Sequence, residues 1–218
     1  MFSKYDCCIL ENFFRICVIG FVNASSFSGV KVDIYIFPIF DNALLKLVKP
    51  GVSFQLSTEL FNMVDKIRVF LEPWLGWVDF VKSPEDEFSV VQSVAQSGTG
   101  KYFIFVNNHI HGMVGFVQEH RSKQTIEIGY WLDVAMNGRG IMTRAVEKLT
   151  GLAFDVWGAN RVEIQAAIEN KKSRAIPERL GFNQDGILRQ REIVRPGVIY
   201  DIVMYSKLKS EWGKGKQK

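Results

Sequence analysis

The clearest periodicity in the chain lies past its middle. Met142, Ala145, Val146, Leu149, Leu152, Ala153 and Val156 recur at helical spacing, while Arg144, Glu147 and Lys148 fall off that stripe. Such a pattern predicts an amphipathic helix that packs by one face. Ile126 onward reads as a strand feeding this helix through a tight turn. Arg161 to Ile168 alternates as a strand does, and a short helix then ends at Gly181, a helix stop followed by Phe182 as hydrophobic cap. Upstream, Ala43 to Val48 predicts a first strand ended by Lys49-Pro50-Gly51. Thr58 to Leu71 predicts a helix with Leu60, Phe61, Val64, Ile67 and Leu71 on one side. Ser83-Pro84-Glu85-Asp86 is a helix start, with a cap, a proline at the first position and acids in the first turn. Lys101–Val106 and Met113–Glu119 predict a hairpin across residues 107–112. Gly186–Val194 and Val198–Met204 predict another over Arg195-Pro196-Gly197. The sum is an α/β (α+β) chain: a mixed sheet flanked by helices.

The turn before the central helix carries the first candidate chemistry. A strand, then Asn137-Gly138-Arg139-Gly140, then a helix from Ile141-Met142-Thr143 gathers free backbone N–H groups at the positive end of a helix dipole. That suits a phosphate group, and Gly138 and Gly140 can take positive φ. A P-loop would need Gly-Lys-Ser/Thr, and a dinucleotide fingerprint would need a third glycine where Thr143 stands, so neither applies. Gly-x-Gly alone leaves an ordinary strand-to-helix turn open as an alternative.

The combination is more specific than its parts. Gly129-Tyr130-Trp131-Leu132, Gly138-Arg139-Gly140-Ile141-Met142-Thr143, Asn170-Lys171-Lys172-Ser173, Glu178-Arg179-Leu180-Gly181-Phe182 and Gly186-Ile187-Leu188-Arg189-Gln190 occur in this order. Over about residues 44–212 the chain resembles the GCN5-related N-acetyltransferase (GNAT) family, and within it the branch that acetylates the N-terminal amine of ribosomal proteins. The resemblance implies a mostly antiparallel sheet with splayed parallel strands at an acetyl-CoA cleft. The strand ending at Val134 would diverge from the one starting at Arg161, with the pantetheine arm of the cofactor between them against Leu132 and Val134.

It also implies roles. The turn Asn137–Thr143 would hold the cofactor pyrophosphate, a strand N–H near Leu132 would meet the thioester carbonyl, and Asn170 would contact the cofactor or fix the loop of Ser173. Glu192 would be the base, and Ser173 would donate to the leaving thiolate. Read without the resemblance, Glu192 is a solvated hairpin acid and Ser173 a helix N-cap. Trp74 and Trp77, around Gly76, either line an acceptor cleft or pack in the core. Two departures stand out. Ala135 replaces the family's Gln or Arg three residues before the first turn glycine. Pro177 stands where related enzymes carry a tyrosine acid, and having no N–H it leaves the Ser173 carbonyl free.

Composition narrows the partners. The chain is 47% hydrophobic and 23% charged, as a globular domain is. The net charge of +4 equals that of residues 207–218 alone, where Lys207, Lys209, Lys214, Lys216 and Lys218 face Glu211, so the body is neutral. A solvated tail is expected rather than a nucleic-acid contact. Cys7, Cys8 and Cys17 all precede the segment that carries the resemblance; this excludes a cysteine nucleophile there, predicts direct transfer and fits a cytoplasmic setting. The longest uncharged run of residues 1–40, Ile16–Val30, has 15 residues, too few to span a bilayer. A signal peptide is the alternative there, opposed by Asp6 and Glu11. Residues 1–40 are therefore an extension, 41–212 the acetyltransferase domain and 213–218 a basic tail. His109 and His111 are assigned to a solvated turn, and no metal is expected. The expected cosubstrate is acetyl-CoA and the expected acceptor a protein N-terminus. A small-amine acetyltransferase, an idle acyl-CoA-binding module and a homodimer remain open alternatives.

Overall fold

A computed structural model describes residues 36–97, 100–120 and 124–213. Cys7, Cys8, Cys17, most of the N-terminal extension and Lys214, Lys216 and Lys218 of the tail lie outside the described residues. Eight strands form one sheet in the order β1-β2-β3-β4-β5-β6-β8-β7. They are β1 (Ile36–Phe40), β2 (Ala43–Leu47), β3 (Lys101–Val106), β4 (His109–His120), β5 (Thr125–Leu132), β6 (Arg161–Ala167), β7 (Asn183–Arg195) and β8 (Val198–Leu208). The helices are α1 (Phe54–Lys66), α2 (Arg68–Leu71), α3 (Pro84–Gln96), α4 (Ile141–Asp155) and α5 (Lys171–Arg179). Every neighbouring pair is antiparallel except β5 and β6. A parallel pair needs a crossover, and α4 supplies it.

Alternation along β5 decides what each face covers. Ile126 and Ile128 are buried with Ala145, Val146 and Leu149 of α4 and with Val162 and Ile164 of β6. Trp131 joins a second core of Leu60, Val64, Val78, Val91 and Phe103 under α1 and α3. The sheet is thus covered on both faces, and the stripe read from the sequence is the buried face of α4.

Several boundaries differ from the sequence reading. Ile36–Phe40 lies within the segment assigned to the extension, yet it pairs with β2 and buries Phe37 and Ile39 in the main core. The helix predicted from Thr58 starts at Phe54, because the Ser53 side chain accepts a hydrogen bond from the Leu56 N–H at 3.2 Å. It is interrupted at Ile67 (φ −109°, ψ 13°) before α2 begins. The Arg68 guanidinium there donates to the carbonyls of Val78 and Val81, tying down the following loop. The first hairpin turns on Asn107 and Asn108 alone, at φ 49° and 66°. Asparagine tolerates this left-handed conformation, which matches the twist of a two-residue hairpin. His109 and His111 therefore lie on β4 rather than in a solvated turn.

One buried acid gives a measurable consequence. Glu87 of α3 is 3% exposed, and its Oε2 has no hydrogen-bond partner among the described residues. Burial raises its pKa from 4.5 to about 7, opposed by the nearby Arg68. The folded pKa lies above the unfolded one, so the native state is favoured at low pH and loses this advantage as pH rises through about 7. Between pH ~5 and ~8 the loss from this group is expected to reach about 3 kcal/mol at most. Urea midpoints measured across that range should fall for the wild type, and Glu87→Gln should remove that part of the slope.

Candidate active site

The site begins where the parallel pair comes apart. β5 and β6 hold register from Thr125↔Arg161 to Glu127↔Glu163 only, although β5 continues to Leu132 and β6 to Ala167. Past Glu127 the edge of β5 has no strand partner on the β6 side, and a cleft opens there. The sequence placed the end of this strand at Val134. It ends at Leu132, because Val134–Met136 form a 3₁₀ turn. That turn is capped by Asp133, whose Oδ1 accepts from the Ala135 N–H at 2.9 Å and whose Oδ2 lies 3.0 Å from His111 Nδ1.

The turn then runs into α4 through two left-handed glycines, Gly138 at φ 77° and Gly140 at φ 75°. Gly140 is the N-cap of α4 with no side-chain cap, so the first N–H groups of the helix have no side-chain acceptor. They border a cavity of about 550 Å³ that Asn137, Gly138, Gly140 and Thr143 line on one side and Lys172 and Arg179 on the other. Arg179 donates to the Thr143 hydroxyl at 2.8 Å. Ile141 and Met142 also border it, although their side chains are packed in the core. Three residues assigned to the cofactor on sequence are not in this lining: Asn170 borders the adjoining cavity, and Arg139 and Val134 border neither. Arg139 is exposed, and Val134 packs against the second core. A β-Cβ at Gly138 would meet nothing within 4 Å, so the demand at this position is its backbone angle rather than space. Uncapped N–H groups, left-handed glycines and two facing cations fit a pyrophosphate.

A second cavity of about 450 Å³ continues the first, sharing Leu132, Asn137, Met142, Lys172 and Ile176 with it. It brings together Trp74, the neighbours Asn170 and Ser173, and Glu192, from three separate parts of the chain. Asn170, not Ser173, is the cap of α5: its Oδ1 accepts from the Ser173 N–H at 3.1 Å. Glu192 sits on β7 opposite Tyr200 and is exposed, with its side chain at the cleft. Trp74 stacks on Tyr200 with ring centroids 5.5 Å apart. Trp77 does not reach the cleft; it packs on Trp131 at 5.9 Å within the second core. The 3₁₀ turn Gly76–Asp79 buries Val78 and sends the two indoles different ways. Trp77→Ala is therefore expected to cost about 2–3 kcal/mol of stability. Trp74→Ala should instead raise the acceptor KM with a small change in Tm, a contrast that thermal melts and initial rates would check.

The structure adds two residues that the sequence did not single out. Tyr130 Oη donates to the Ser173 carbonyl at 3.0 Å, so that carbonyl is not free, as Pro177 had suggested. Burial pushes the phenol well above its ordinary pKa. Glu127 lines the same cleft, accepts from Gln165 Nε2 at 3.0 Å, and has its pKa raised chiefly by burial. Its signal was an acid between Ile126 and Ile128 in an otherwise apolar strand. His109 and His111 each meet one carboxylate, Glu59 and Asp133, so acids do stand beside them. Among the described residues no three such groups gather as a metal site would need.

Residues 59–183 match the model of the acetyltransferase (GNAT) domain. The chain belongs to the GNAT family. It is similar to the putative ribosomal N-acetyltransferase YdaF of Bacillus subtilis, with 33% identity over 62% of this chain and 78% of that protein. The ribosomal-protein-serine acetyltransferase of Escherichia coli shares 30% identity over 68% of this chain and 85% of its own length. Among solved structures, the microcin C7 self immunity acetyltransferase MccE in complex with acetyl-CoA and AMP superposes with a TM-score of 0.71. It is 29% identical, over 78% of this chain and 94% of that one. The mixed sheet forked between β5 and β6 is the GNAT fold, and the protein is an acetyl-CoA-dependent N-acetyltransferase. Among the described residues no helix is long and apolar enough to cross a membrane.

Proposed function

We propose that this acetyltransferase acts in the cytoplasm on the N-terminal α-amine of a protein, a ribosomal protein being the favoured acceptor. The observation that carries this reading is the convergence of Glu192 and Ser173, from β7 and α5, on the cleft that opens from the fork. The relatives named for ribosomal acetylation support the choice of acceptor. Acetyl-CoA supplies an activated acetyl group as a thioester. The amine nitrogen forms a bond to the acetyl carbon, the carbon–sulfur bond breaks, and the sulfur leaves with the electron pair.

The residues of the chain divide the remaining work. The turn Asn137–Thr143 holds the pyrophosphate through main-chain donors, and a β5 N–H near Leu132 meets the thioester carbonyl. An α-amine has a pKa of about 7.7–8.0, so freeing it of its proton at neutral pH costs only about 1 kcal/mol. One carboxylate, acting directly or through water, then suffices as base. Glu192 fills that role, the amine proton passing to its carboxylate, and the Ser173 hydroxyl donates a hydrogen bond that stabilises the departing thiolate while keeping its own proton. Trp74, stacked on Tyr200, forms the wall against which the acceptor chain lies.

Glu127 is the competing base, because it faces the same cleft and burial raises its pKa above the ordinary carboxylate value. Comparing Glu192→Gln with Glu127→Gln assigns the role: the base variant loses turnover and keeps acetyl-CoA affinity. A small-amine acceptor is the second reading, favoured by the likeness to a microcin self immunity enzyme. Peptides beginning with serine or alanine, set against small amines, decide between the two.

A further inference from the structure

Pro177 sits inside α5, four residues after Ser173, and has no N–H. The Ser173 carbonyl therefore lacks the partner a helix would ordinarily give it. An unpaired carbonyl at a half-buried position is costly, and the structure answers from another element. Tyr130 Oη, on β5, donates to that carbonyl at 3.0 Å. The same phenol oxygen accepts from the Ser173 hydroxyl at 3.3 Å. A phenol has one proton and lone pairs to spare, so both bonds can exist together. Side chain and main chain of Ser173 are held by a single atom across the mouth of the fork.

We propose that Tyr130 is the positioning residue for Ser173: its bond to the carbonyl fixes the main chain there, and its oxygen holds the Ser173 hydroxyl at the cleft, from which the hydroxyl turns to the leaving sulfur. The inference rests on the role of Ser173 given above. Tyr130 is not itself the acid. Its one proton is already engaged by the Ser173 carbonyl, so it has none to offer the sulfur. The Ser173 hydroxyl can turn its proton into the cleft, as a hydrogen-bond donor to the thiolate, while the carbonyl bond keeps Tyr130 in place. The donor to the sulfur is thus held from the strand rather than from the helix position that Pro177 occupies.

The test is a double-mutant cycle of Tyr130→Phe and Ser173→Ala, in the full chain, with acetyl-CoA and an acceptor peptide. Tyr130→Phe should lower kcat about fivefold to tenfold and leave the KM for acetyl-CoA within about twofold, and the double variant should be no slower than Ser173→Ala alone. Effects that multiply would make Tyr130 merely structural and overturn the proposal, as would a normal kcat for Tyr130→Phe where Ser173→Ala is slow. A normal rate for Ser173→Ala would instead remove the role of Ser173 itself, a distinct failure. Should Tyr130→Phe be too unstable to assay, the cycle is run in Pro177→Ala. The restored N–H pairs the carbonyl there, and the same coupling through the hydroxyl is expected.

Discussion

Replacing Glu192 by glutamine is expected to lower kcat for acetyl transfer at least about tenfold while leaving acetyl-CoA binding unchanged. Glutamine keeps the size of the side chain and its hydrogen bonding but cannot take the amine proton. The half of the cleft proposed to hold the cofactor is formed by the turn and by the N-terminus of α4, none of which the substitution touches. Calorimetric titration with acetyl-CoA, beside initial rates at saturating acceptor, separates the two quantities. An unchanged rate would move the base to Glu127, the other carboxylate in the same cleft.

The second large effect is expected at Gly138. Valine there should weaken acetyl-CoA binding roughly tenfold, with a much smaller change in turnover at saturation. The reason is conformational. Gly138 sits at φ 77°, where a β-branched residue is a severe outlier, yet a Cβ built on it meets nothing within 4 Å. A substitution therefore strains the main chain and displaces the N–H groups proposed to face the phosphate, without blocking the cavity. Gly138→Asn offers the control, because asparagine visits this region readily and should retain most of the affinity. Equal losses in both variants would point to a steric or electrostatic cause, and no loss in either would take the pyrophosphate away from this turn.

What could be read from the sequence was what short stretches encode. The turn at Gly138 and Gly140, the buried stripe of α4 and the cap at Ser83 all depend on residues within one or two turns of each other. Asn170 as partner of the Ser173 loop was likewise local, three residues away. The errors arose where tertiary geometry decides. Nothing in the spacing of Trp74 and Trp77 reveals that Trp74, ahead of the 3₁₀ turn, goes to the cleft while Trp77, within it, goes to the core. Tyr130 meets Ser173 across 43 residues of chain, and the absent N–H of Pro177 signals only that a partner is needed, not which. Glu127 looks like any outward residue of an alternating strand until β6 diverges beside it. His109 and His111 were lost to a local error, since the two-asparagine turn is shorter than the six-residue loop assigned on sequence.

The most direct test of the central claim is acetyl-CoA-dependent thiol release by the purified chain against two sets of acceptors. One set holds peptides and ribosomal proteins with serine or alanine at the N-terminus, the other polyamines and aminoglycosides. Release with the first set, abolished when the α-amine is blocked and absent with the second, is the predicted result. Release with the small amines alone would contradict it and make this GNAT enzyme a small-molecule acetyltransferase.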